Sequence, residues 1–167
     1  NSILDNINFE IENGRCEDSL NIISSSGKIK NVVVKNAYSD GVDIDFSNII
    51  ISNSKIINSG NDCLDFSGGN YILNKVNVQN CGDKGISIGE KSKIKINQLD
   101  INFSKIGVSS KDFSETKLQA ATIKNIDLCA EVKQKKQEFG GAYLSIKKLT
   151  CKAKFDVDQN SILRTDS

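Results

Sequence analysis

The chain has 167 residues, enough for one domain with a sizeable core, and its 22 basic and 21 acidic residues nearly cancel. So balanced a charge sets up no strong field toward nucleic acid or an anionic membrane surface. His, Met, Trp and Pro are absent, which removes the usual general base and the commonest transition-metal ligand. No apolar run approaches the ~18 residues that a transmembrane helix needs.

Taken in order, residues 3–13 alternate weakly (Ile3, Ile7, Phe9, Ile11) and read as the tail of a coil begun upstream. From Asp18 a period emerges. One coil runs from Asp18 to Ser39, and further coils open at Asp40, Asp62 and Asp83. A weaker copy, Ile106-Gly107-Val108-Ser109-Ser110, follows near Lys105. Each opening phrase is a polar turn followed by alternating apolar and polar residues, so that Val42 and Ile44 face one side of a strand and Asp43 the other. A second apolar block recurs within each coil, as at 29–34, 49–57, 71–78, 94–101 and 118–126. Asparagines recur in phase at 36, 58, 80 and 102, and nearly so at 31, 53, 74 and 97, where a left-handed bend suits Asn.

A fixed period of about 22 residues with strand alternation predicts an all-β fold, a right-handed parallel β-helix of about six to seven coils. A leucine-rich solenoid has a similar period, but its Leu-x-x-Leu-x-Leu frame is missing. The reading treats 1–167 as a single β-helix domain with a polar loop excursion at 133–141, either a solvated detour or a basic clamp beside a ligand. Helical periodicity is hinted at only over Leu128–Gln137, and within Phe155 to Ser167 one further strand is expected before Ser161-Ile162-Leu163-Arg164. The start reads as a mature-chain boundary. Neither end shows a capping amphipathic helix, so the chain is expected to belong to a longer protein with neighbouring coils or domains as partners.

Five cysteines in a non-metal pattern point to an exported protein, extracellular, at the cell surface or periplasmic, with a reduced cytosolic protein as the alternative. Cys129 and Cys151, 22 apart, are expected to stack on neighbouring coils, as a disulfide or as buried thiols, and Cys16 has no evident partner. Equivalent positions of successive coils form columns: Asp18, Asp40, Asp62 and Lys84; beside them Glu17, Ser39, Asn61, Asp83 and Lys105; and outward Asn21, Asp43, Asp65, Ser87 and Ser109. Stacked like charges repel, so three Asp in line need a compensating cation, water or function. Turn formation alone also accounts for Asp18, Asp40, Asp62 and Asp83. The one cofactor left open is calcium on Asp43, Asp45 and Asp65, although their spacing fits neither an EF-hand nor a nonapeptide repeat.

Asp40-Gly41-Val42-Asp43-Ile44, Gly60-Asn61-Asp62-Cys63-Leu64-Asp65-Phe66 and Cys81-Gly82-Asp83-Lys84-Gly85-Ile86-Ser87-Ile88-Gly89 resemble three successive motifs of the polygalacturonase (pectin-hydrolase) family, within the pectin lyase-like β-helices. The resemblance implies a disulfide between Cys63 and Cys81, and a polysaccharide or oligosaccharide partner. It makes Asp40 and Asp62 the candidate catalytic pair that would activate a water, with Asp43, Asn61, Asp65, Lys84 and Lys111 as substrate-binding candidates. The departures fall on the chemistry. The family's proton donor is Asn61 here, and an amide cannot protonate a leaving group. Its His is Lys84, and its substrate-gripping Arg is Ser109, leaving Lys111. The expectation is therefore a polysaccharide-binding or presenting domain with a degenerate hydrolase-like face. The alternatives are an active hydrolase, lyase or epimerase, or a structural module of a surface protein. Tyr38 and Tyr71 are candidates for stacking a sugar ring, against core or turn packing.

Overall fold

The structure, a computed structural model, describes residues 2–12 and 14–166. Asn1, Asn13 and Ser167, which fall in the first and last segments read above, lie outside the described residues. Among the described residues sixteen strands join one sheet network, and every pairing is parallel. The chain winds into a parallel β-helix of about seven turns with no helix among the described residues. Leu128–Lys133, where helical periodicity was hinted at, is a strand. The segment beyond Phe155 supplies two short strands rather than one, Lys154–Val157 and Ile162–Thr165.

Three aliphatic columns fill the interior, one from each side of the coil. The first is Leu20–Val42–Leu64–Ile86–Val108–Ala130. The second is Ile29–Ile51–Leu73–Ile96–Leu118–Ile146. The third is Val34–Ile56–Val78–Ile101–Ile123. Apart from Leu20 these side chains are buried. Removing such a side chain from water is worth about 1.5–3 kcal/mol, which makes stacked coils stable where one alone is not.

The corners are left-handed residues, also in columns: Asn6, Asn31, Asn53 and Lys75 at one, and Asn36, Asn58, Asn80, Phe103 and Asn125 at another. Asn58 donates to Asn36 at 3.0 Å and Asn80 to Asn58 at 2.8 Å, a side-chain ladder along the axis. The fourth rung differs from the sequence expectation. An extra residue at the turn through Glu90 and Lys91 moves the following strands to a 23-residue spacing (Leu73 pairs with Ile96), so Phe103 and not Asn102 takes the left-handed position. Spacing returns to 22 where Lys84 pairs with Ile106. In the other column the unbroken 22-residue spacing from Asn53 puts Lys75, rather than Asn74, at the corner.

Both disulfides close a single coil, joining the start of its first strand to the end of its third. Cys63–Cys81 has the expected pairing. Cys129–Cys151 is also bonded, but within one coil and not between neighbours. The reason is that residues 134–142, which carry no strand, lengthen this coil, so that Leu128 pairs with Lys154, 26 residues on. Cys63 and Cys129 lie in one column with Gly41, Gly85 and Gly107. A Cβ at Gly41 would meet Ile56 Cγ2 at 2.4 Å and Ser59 Oγ at 2.7 Å, and one at Gly107 would meet Ile123 Cγ2 at 2.9 Å. From Gly41 to Cys129 this column faces the third strand so closely that it holds either a hydrogen or a sulfur bonded across. Cys16 is exposed and free.

Candidate functional site

The columns expected from the period are built by the first strand of each coil. The inner acidic column doubles as a backbone cap. Asp40 Oδ1 accepts from the amide of Asp62 at 2.8 Å, and Asp62 Oδ1 accepts from the amide of Lys84 at 3.0 Å. Asp40 and Asp62 thus each satisfy the amide of the equivalent residue one coil on, whereas the amide of Asp40 itself goes to the carbonyl of Glu17, and the caps offset part of the repulsion between the two carboxylates. At Lys84 the run ends, and the amide of Ile106 turns instead to the carbonyl of Asp83. Asn61 donates its side-chain amide to Asp40 Oδ1 at 2.8 Å, so the residue in the proton-donor place is a hydrogen-bond donor to its neighbour.

Asp62 is 3% exposed, and burial, against the pull of Lys84, raises its pKa to about 6. Lys84 Nζ stands 3.5 Å from Asp62 but lies closer to Asp83, which takes most of its charge. Burial opposes the charge on Lys84, yet the hydrogen bond to Asp83 and the field of Asp62 hold its pKa above the ordinary lysine range. Asp83 is correspondingly held low, burial notwithstanding.

The outward row is Asn21–Asp43–Asp65–Ser87–Ser109–Glu131–Asp156. Its first half is open and acidic. Asp43, half-buried and crowded by Asp45, Asp18, Asp65 and Asp40, has its pKa pushed up to about 7, burial being the largest cause. Burial also raises Asp40 and Asp45. The second half is covered. Lys111, 6% exposed, crosses Gly89 to donate to Ser87 Oγ at 2.7 Å, and its burial lowers its pKa. Ser109, in the place of the expected Arg, donates to Glu131 Oε1 at 2.6 Å, and Lys133 Nζ lies 2.6 Å from Oε2 of the same group. Glu131 was missed in the sequence, although its place 22 residues after Ser109 continues the row.

The 134–142 segment is fastened beside this covered half. Asp112 Oδ1 accepts from the amides of Lys135 and Lys136 at 2.6 and 2.9 Å, Asp158 accepts from the amide of Gln134 at 2.7 Å, and Lys136 pairs with Glu90. The face therefore has an acidic half (Asp18, Asp40, Asp43, Asp45, Asp65) and a lysine-covered half (Lys84, Lys111, Lys133, Lys135). Among the described residues no group of three or more His, Cys, Asp or Glu is placed to hold a metal, so Asp43, Asp45 and Asp65 form no calcium cage.

The two tyrosines separate. Tyr71 is core, 2% exposed, with its hydroxyl 2.7 Å from the carbonyl of Gly68 and 3.0 Å from that of Ile44. Tyr38 is 61% exposed. A groove of about 910 Å³ lies away from the acidic residues, on the outer face of the second strands, with Ile3, Ile50 and Ile72 as its floor and Lys28, Lys93 and Lys95 at its rim. Its only carboxylate, Glu115, pairs with Lys117 at 2.8 Å, so it shares none of the acid chemistry of the first face. No helix among the described residues is long and apolar enough to cross a membrane. Two disulfides are cross-links of a kind that persists in oxidising surroundings.

Comparison of the chain with protein-family models, with curated proteins and with solved structures returned no match.

Proposed function

We propose that this β-helix binds a hydroxyl-rich, uncharged polysaccharide along the open acidic half of its first face, and does not cleave it. One observation carries the reading. The catalytic pair implied by the pectin-hydrolase resemblance is committed to the scaffold, whereas Asp43, Asp45 and Asp65 beside it stay accessible with unfilled acceptor positions. Carboxylates in a row accept hydrogen bonds from sugar hydroxyls, and such charge-assisted bonds are roughly twice as strong as neutral ones. The same row repels a polyanion, and Ser109 stands where the family's carboxylate-gripping Arg would be. The domain is proposed to work outside the cell or at its surface, which the two disulfides support.

A second reading, a polysaccharide-modifying enzyme using Asp40 and Asp62, is favoured by the proton affinity of Asp62, since a pKa of about 6 suits acid–base work near neutrality. Titration calorimetry with neutral and acidic oligosaccharides separates the two, alongside an assay for new reducing ends. Binding of a neutral chain, weakened at least tenfold by Asp65→Asn and without reducing-end release, is expected. Release abolished by Asp62→Ala would establish the enzyme instead, and failure of every saccharide to bind would remove both readings.

A further inference from the structure

The first corner, between the first and second strands of each coil, borders the open acidic face. Its column runs Ser24, Phe46, Gly68, Glu90 and Asp112, all with positive φ, and Phe113 follows at φ 60°. Two phenylalanines thus sit in left-handed conformations at one corner, Phe46 at φ 49° being the other. A bulky residue is a genuine outlier there and costs about 1–2 kcal/mol. Strain of this kind persists where the surroundings enforce it, and it points toward function more often than chance would give.

Burial does not repay that strain. Phe46 is 61% exposed and Phe113 is 53% exposed. Each ring is backed by a glycine. A Cβ on Gly68 would lie 2.8 Å from Phe46 Cδ1, and one on Gly140 would lie 2.3 Å from Phe113 Cε1. The backing residue is therefore bare backbone, which lets the ring lie against the corner with its outer side in water. Phe139, from the 134–142 segment, props Phe113 edge-on at 6.3 Å, and Lys91 sits over Phe139 at 5.7 Å. In this way the long segment helps hold an aromatic surface in place.

Phe46 and Phe113 are three coils apart along the corner, about 14 Å at one strand spacing per coil. Phe46 directly follows Asp45 at the open acidic half, and Phe113 lies two residues after Lys111 at the lysine-covered half, so a chain touching both rings runs from one half to the other past the Glu90–Lys136 pair. Apolar ring faces beside a line of acceptors suit a pyranose, which offers a C–H face and equatorial hydroxyls at once.

We infer that Phe46 and Phe113 are two stacking subsites at the ends of a saccharide path along the first corner. This rests on the polysaccharide-binding reading above and adds where the chain lies and how long it must be. A ligand touching both rings spans about three coils, so affinity rises steeply once the chain reaches roughly four units. Phe103, equally left-handed and 51% exposed but on a different corner, is the internal control.

The test titrates cello- and xylo-oligosaccharides of two to six units into the wild type and into Phe46→Ala, Phe113→Ala, Phe103→Ala and Asp65→Asn. Phe46→Ala and Phe113→Ala should each weaken binding of the longer chains about three- to tenfold and flatten the length dependence, while Phe103→Ala leaves both unchanged. Circular dichroism checks that each variant keeps its strand content. Wild-type affinity in Phe46→Ala and Phe113→Ala, with the loss in Asp65→Asn retained, would overturn the stacking subsites and leave the binding face standing. An equal loss in Phe103→Ala would overturn them too. If no oligosaccharide binds the wild type, the face reading falls and the subsites fall with it.

Discussion

Replacing Asp62 by Asn should make the protein more stable at neutral pH. Asp62 is 3% exposed, and its pKa stands at about 6 against an ordinary 3.8. A shift of about two units corresponds to about 3 kcal/mol of penalty on the charged form, net of the pull of Lys84. The folded pKa lies above the unfolded one. The folded state therefore holds the proton more tightly, and the penalty is absent below about pH 3.8, grows as pH rises, and is complete above about pH 6. Asn keeps a side-chain oxygen for the Lys84 amide, which Asp62 Oδ1 now accepts at 3.0 Å, and carries no charge. Urea unfolding at several pH values, with disulfides intact, should show Asp62→Asn about 1–3 kcal/mol more stable than wild type at pH 7.5 and level with it at pH 4. A variant less stable than wild type at pH 7.5 would mean that pairing with Lys84 outweighs burial, and the account of this face would be wrong.

The other predictions concern the scaffold and the acidic row. Phe103→Asn should stabilise by about 0.5–1 kcal/mol in thermal unfolding, because it relieves a left-handed Phe while leaving the Asn125–Asn102 side-chain bond at 2.7 Å in place; destabilisation would refute the corner argument. Ser59 Oγ is a buried polar atom without a hydrogen-bond partner, so Ser59→Ala should gain about 1 kcal/mol, and a loss would show that the hydroxyl is satisfied. Opening the Cys63–Cys81 bridge, with its 18-residue separation, by a double Ser substitution should cost about 3 kcal/mol. Carbon-13 spectra should show a carboxylate in the row titrating with an apparent pKa near 7, assigned to the coupled cluster around Asp43, and titration of every carboxyl below 5 would contradict the crowding described. Asn61→Asp, which returns an acid to the proton-donor position, should leave reducing-end release from polygalacturonate undetectable, because Ser109 and Lys84 still stand where the family's Arg and His belong.

The coil period was legible because its cause is local and repeated. The first strands point an apolar pair inward, as Val42 and Ile44 do, with Ser110 beside Val108 the exception, and such pairing tolerates no drift. The columns Asp18–Asp40–Asp62–Lys84 and Asn21–Asp43–Asp65–Ser87–Ser109 follow from the same constraint, and the structure keeps them in register. What escaped were the places where coil length changes. The extra residue at Glu90 and Lys91 is cancelled before Lys105, so the period looks unbroken from either side while Asn102 slips off its corner. The long segment after Lys133 likewise disguises Cys129–Cys151 as a pair between coils. The exposure of Phe46 and Phe113 was hidden for another reason. Alternation says which way a strand residue points, but a corner residue is set by backbone handedness, which a Phe in the sequence does not announce. The caps that Asp40 and Asp62 provide were likewise invisible, because they depend on amides one coil away.

Those caps bear on function. A residue kept to hold a neighbouring amide needs no catalytic role, and on the proposed reading the carboxylates beside the caps, Asp43, Asp45 and Asp65, would hold the neutral chain. Amide chemical-shift mapping, with a neutral hexasaccharide added to saturation, tests that claim most directly. Shifts should follow the row from Asn21 through Asp65 and the corner from Phe46 to Phe113, with reducing ends constant over days. Shifts confined to the isoleucine and lysine groove of the second strands, or the appearance of new reducing ends, would contradict it.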